Sequence, residues 1–99
     1  MYLINSQHYE ALTQRLHDSI IGGSNYFNGN LSFETNDADC DFIASLIIYR
    51  STLSLPEGIV HPVCDIVPVW WEFHTKTLDG EQINDFDFET FKSYVIACL

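Results

Sequence analysis

Val63 to Thr77 reads V-C-D-I-V-P-V-W-W-E-F-H-T-K-T, and it holds both tryptophans and the densest apolar run of the chain. β-Branched and aromatic residues dominate it, so it is expected to form the long central strand on which the other elements pack. Side chains of a strand alternate between faces. That alternation puts Val67, Val69, Trp71 and Phe73 together, on the expected core face. Cys64, Ile66, Pro68 and Trp70 fall on the other face, which continues into Glu72 and His74. Pro68 has no N–H to contribute to a ladder, so a bulge or an edge position is expected there.

Working outward, the residues before this strand, Leu53 to Pro62, carry two prolines and Gly58 and read as the longest irregular loop. Cys40 to Thr52 reads as a strand with two apolar faces: Phe42, Ala44, Leu46 and Ile48 on one, and Ile43, Ile47 and Tyr49 on the other, with Ser45. Tyr26 to Thr35 alternates more cleanly. Phe27, Leu31 and Phe33 share one face with Gly29, against Asn28, Asn30, Ser32 and Glu34. Asn36 to Asp39 is a turn of residues that bond their own backbone. After the central strand, Asp79-Gly80 signals a tight hairpin, and Glu81 to Asn84 is a short returning strand.

Helices are expected at both ends. Over Ile4 to Ile21, Tyr9, Leu12, Leu16 and Ile20 form one stripe, Asn5 or Ser6 caps the start and Gly22-Gly23 stops the end. His8 and His17 fall off the stripe and read as solvated. Over Asp85 to Leu99, Asp87 is the expected cap, Phe86 and Phe91 form a hydrophobic staple, and Phe88, Phe91, Val95 and Cys98 form the stripe. Sequential strands with short connections pair with one another. The expected fold is therefore a single α+β domain over residues 1–99, ordered α-β-β-β-(β)-α, an antiparallel meander with N- and C-terminal helices packed on it. Double-stranded RNA-binding domains share this order of elements. Their basic loop and basic last-helix start are missing here, where the helix begins D-F-D-F-E.

Composition narrows the function. The chain has 99 residues, 46% hydrophobic and 14% aromatic, which excludes a disordered chain. Four Lys and Arg stand against 14 Asp and Glu, a formal charge of -10. Such a surface repels phosphate backbones and anionic lipid, so no direct nucleic-acid or membrane partner is expected, and a basic protein is a fitting one. No apolar run reaches the ~18 residues that span a bilayer. The first residues lack the basic start of a signal peptide, and a cytoplasmic location is the expectation.

Chemical motifs are incomplete. Asp37-Ala38-Asp39-Cys40-Asp41 opens like a calcium loop, but Phe42 stands where glycine is needed and Ile48 where a bidentate Glu is needed. His61 and Cys64 form half of a zinc set with no second close pair. Cys64 and His74 share a strand face but lie ten residues apart, roughly 30 Å, too far for a nucleophile and its base. Neither a cofactor, a metal nor a catalytic residue is expected.

What remains is surface. If both helices cover one face of the sheet, an apolar patch is left on the other. Ile66, Pro68, Trp70 and Tyr49 are the expected interface residues. The leading expectation is a non-enzymatic protein-interaction module that self-associates as a homodimer through that face, with Trp70 as its anchor. An alternative is an acidic inhibitor, a nucleic-acid mimic or immunity-type protein. Glu34, Asp37, Asp39 and Asp41 would then act with Asp85, Asp87 and Glu89, and with Asp79 and Glu81, against a basic cleft. A metal-binding or thiol-dependent enzyme is the third reading.

Overall fold

The computed structural model describes residues 1–97. Cys98 and Leu99, assigned above to the end of the last helix, lie outside the described residues. The order is α1 (Ser6–Ser19), β1 (Tyr26–Glu34), β2 (Asp39–Arg50), β3 (Leu53–Leu55), β4 (Gly58–Val60), β5 (Val63–Thr77), β6 (Gly80–Gln82) and α2 (Phe88–Ala97). β1, β2, β5 and β6 form an antiparallel meander in that spatial order, and β3 and β4 form a separate two-stranded hairpin. The fold is α+β, as its sequence pattern implies. The stretch expected as a loop is instead that hairpin: the turn residues Pro56-Glu57-Gly58 join L-S-L to G-I-V.

Both helices cover the same face of the sheet. Leu12 and Leu16 of α1 and Phe91 and Val95 of α2 are fully buried with Leu31 and Phe33 of β1 and Phe42, Ala44, Leu46 and Ile48 of β2. Asn5 caps α1: its side chain accepts from Gln7 N–H, and His8 returns the favour by accepting from Asn5 N–H. Asp87 caps α2 by accepting from Thr90 N–H at 3.0 Å, and Phe86 packs on Phe91 with ring centroids 5.9 Å apart. The centre of the core is aromatic. Phe42 has 0% exposure, and the rings of Phe91, Phe86 and Phe73 lie 5.4, 5.7 and 6.4 Å from it.

A bulge decides which side chains of β5 reach this core. Ser45 pairs with Trp70 and Leu46 with Pro68, so Val69 has no partner on β2. One extra residue reverses the alternation. Beyond it, Trp71 and Phe73 face the helices opposite Ala44 and Phe42. Before it, Pro68 and Ile66 face them, opposite Leu46 and Ile48. Strict alternation therefore misassigned four residues. Ile66 is 0% exposed and in the core, and Pro68 lies on the same face, so neither belongs to the open surface, whereas Val67 and Val69 are exposed.

Because Phe42 touches both strands and α2, Phe42→Ala should cost about 3–5 kcal/mol of stability. Val69→Ala, on the solvent side of the bulge, should cost well under about 1 kcal/mol. Urea unfolding of the two variants measures both.

Candidate functional site

The uncovered face of the sheet divides along the strands into an apolar half and a polar half. Toward the hairpin end, Tyr26 pairs with Ile47, Ile47 with Val67, and Ser45 with Trp70. Tyr49 extends the row opposite Asp65. Tyr26, Tyr49 and Trp70 are each about half exposed, Trp70 at 45%, and the bulged Val69 stands out at 62%. The three aromatic side chains alone leave on the order of 300 Å² in water. Ser45 is small and buried between them in the register, and its hydroxyl donates to Asn28 Oδ1 at 2.8 Å. Of the four residues expected at an interface, the structure brings Trp70 and Tyr49 to this half and removes Ile66 and Pro68. Tyr26, Ile47, Val67 and Val69 were not among those four. Ile47 had been placed correctly beside Tyr49. Tyr26 was readable as the residue two before Asn28 on the wet face of β1.

Toward the other end the same face is polar. Asp41 accepts from Ser32 Oγ at 2.8 Å and Asn30 Nδ2 at 3.1 Å, and it pairs in register with His74. His74 lies between two carboxylates, Nδ1 donating to Glu81 at 2.7 Å and Nε2 to Glu72 at 3.0 Å. The bonds to Glu72 and Glu81 raise the His74 pKa above its ordinary 6.5, toward the form that donates from both ring nitrogens. A shallow groove of about 790 Å³ opens here, lined by Ser32, Asp39, Asp41, His74 and Glu81, with Arg15 and Lys76 as its cations.

The two carboxylate groups of the sequence meet at this end. Register places Asp39 beside Lys76, and Lys76 beside Glu81. Tyr2 draws in the rest. Its N–H donates to Ile83 O, and its hydroxyl donates to Asp37 Oδ1 at 2.8 Å. Ile4 N–H donates to Asp85 at 2.7 Å. Asp87 follows at the start of α2, whereas Glu89, expected in the same cluster, lies apart from it: Lys92 stands 3.8 Å from Glu89 and 3.2 Å from Asp65, toward the hairpin end of β5.

His8 is not solvated, contrary to its position off the helix stripe. It is 5% exposed. Nδ1 accepts from Asn5 N–H, so Nε2 carries the proton and donates to the Tyr2 hydroxyl at 2.9 Å. Burial lowers its pKa below 6.5. The chain His8, Tyr2, Asp37 thus ties the start of α1 to the β1–β2 turn, where Thr35 also donates to Asp37.

Neither thiol chemistry nor metal binding gains support from this geometry. Cys40 is buried, which pushes its pKa up to about 11 and keeps it protonated at neutral pH. Cys64 is exposed on β5, and among the described residues the His61 side chain has one contact, 3.4 Å from Thr52 Oγ1. Among the described residues no group of three His, Cys, Asp or Glu is placed to hold a metal ion, and no helix is long and apolar enough to cross a membrane. No protein-family model, curated protein or solved structure matches the chain.

The two histidines give opposite pH dependences. Lowering the folded pKa of His8 means that its contribution is full above 6.5 and declines as pH falls below it. Raising that of His74 means that its contribution is full below 6.5 and declines as pH rises through the raised value. His8→Gln keeps an acceptor for the cap and should flatten the acid-side slope. His74→Gln should flatten the alkaline-side slope. Urea midpoints measured from about pH 5 to about pH 8 read both.

Proposed function

We propose that this protein is a non-enzymatic interaction module that self-associates through the open, apolar half of its sheet. The observation that carries the reading is the one-sided placement of the helices, which leaves Trp70, Tyr49, Tyr26, Ile47 and Val67 on a face with no cover from the described chain. A half-exposed tryptophan flanked by tyrosines is the composition of an interface centre rather than of a solvated sheet. The polar half beside it, with Asp41, Glu72 and Glu81, supplies a charged margin that fixes how a partner sits. The aromatic side chains of two copies together offer on the order of 600 Å², below the range of stable interfaces, which fits a weak or regulated association.

A second reading has its own support. The carboxylates from Glu34 to Asp41 and from Asp79 to Asp87 converge on one end, where an acidic inhibitor of a basic cleft would carry them. The two readings separate by mutation. Amide replacement of Glu34, Asp39 and Asp79 should release a basic partner and leave self-association in place, whereas Trp70→Ala should do the reverse.

Self-association is measured by sedimentation across a dilution series. Trp70→Ala should weaken it by at least about 30-fold, the size of an aromatic anchor's contribution. Iodide should quench tryptophan emission more strongly as the protein is diluted. A protein that stays monomeric at every concentration rules the reading out.

A further inference from the structure

The β3–β4 hairpin stands apart from the rest of the fold. Its strands pair only with each other, and all six strand residues are exposed. A two-stranded hairpin with nothing over it is marginal in water. Leu53 pairs with Val60 and Leu55 with Gly58, so Leu53, Leu55 and Val60 share a face. With Ile20 and Ile21 at the end of α1, that face lines a groove of about 810 Å³. β1 begins at Tyr26 opposite Ile47, so the chain of β3 runs past the end of β1 and its outer edge has no strand beside it. Such an edge offers its N–H and C=O groups to one more strand.

Charge selects the occupant. Arg50, at the base of the hairpin, donates to the carbonyls of Ile20, Ser24 and His61. Among the described residues it meets no carboxylate, and Glu57 at the tip meets no cation. Glu57 is also the one carboxylate between Ser51 and Pro62. The groove itself is lined by one carboxylate, Asp18, and one cation, Arg50, so in a chain of net charge -10 this contact carries little net charge from either copy.

We propose that the hairpin is an arm that pairs antiparallel, β3 to β3, with the arm of a second copy of this chain. About a two-fold axis through Ser54, Leu53 of one copy faces Leu55 of the other. The tip of each hairpin, with Glu57 in its turn, then lies toward the base of the other, where Arg50 stands, and does so twice. The four strands then form one sheet whose apolar face lies over both grooves. Leu53, Leu55 and Val60 lie on the helix side, so this surface is separate from the one that carries Trp70. The arm contact stands without the sheet-face contact. Together, two self-complementary surfaces build a particle larger than a dimer.

Sedimentation velocity on the full chain, with Leu55→Asp, Glu57→Lys and Trp70→Ala, tests the arm. Glu57 lies on an exposed turn, so Glu57→Lys reports even where Leu55→Asp fails to fold, and far-UV circular dichroism checks both. The expected result is a wild-type particle larger than a dimer, reduced to dimers by either arm variant and by Trp70→Ala. Glu57→Lys should weaken the arm contact about tenfold or more. A dimer abolished by the arm variants and untouched by Trp70→Ala supports the arm and rejects the sheet face. A dimer abolished by Trp70→Ala alone, or a monomeric wild type, overturns the arm proposal.

Discussion

Two residues of β5, Cys64 and Val69, have no partner on β2, and the second of them sets the architecture of the sheet. With β2 opposite β5 on both sides of the bulge, a single register offset lets Ile66 and Pro68 below it and Trp71 and Phe73 above it all face the helices. Without the offset, the strand would present half its large side chains to each side and the core would lose either Ile66 or Phe73. Pro68 explains where the offset falls. It has no N–H to donate, so the ladder is interrupted at little cost beside it. The same offset leaves Trp70 facing water, because Trp71 has taken the inward place.

The aromatic core follows from this choice. Phe73 stacks on Phe86 with centroids 4.3 Å apart and planes within 6°. Phe86 belongs to the segment that leads into α2, so the strand and the helix start share one contact. Tyr9 of α1 continues the layer, stacked on Tyr94 at 5.4 Å, and its hydroxyl accepts the Asp87 N–H. A buried tyrosine hydroxyl needs such a partner. The two helices are therefore joined to each other as well as to the sheet, which is why neither is left over to cover the open face.

Most elements were legible because their signals are local. The limits of β5, a cap at Asn5 or Ser6 (Asn5 in the structure), the Asp87 cap and the wet face of β1 each depend on a few adjacent residues. The errors arose where a distant residue decides. The alternation of β5 is interrupted by a residue whose status depends on the β2 partner. His8 looked solvated because its burial is compensated from Tyr2 and Asp37, one before the helix and one in a turn. The Asn5-x-x-His8 spacing, which matches a capping box, was the available clue. Leu53 to Pro62 read as a loop because prolines and a glycine outweighed two three-residue strands. On the candidate surface, Trp70 and Tyr49 could be named from the sequence, but their neighbours required the register.

The separation of charge along the molecule has a consequence for how copies meet. The longest extent is 52 Å, against 24 and 20 Å across. The β1–β2 and β5–β6 turns, with Asp37, Asp39, Asp79 and Glu81, lie at one end of the strands, and Arg50 and the arm at the other. Arg15 and Lys76 offset part of the charge at the first end, and Asp18 and Glu57 partly offset Arg50 at the second; the carboxylate excess that remains toward the turns makes the molecule an electric dipole as well as a polyanion. Two such bodies approaching through solution feel a torque before they touch, turning their acidic ends apart and their arm ends together. At ionic strengths where the screening length is shorter than the molecule, ~8 Å in physiological salt, that torque acts only in the last stage of approach. Lowering the salt lengthens its reach while strengthening the overall repulsion, so orientation and encounter frequency respond to salt in opposite directions.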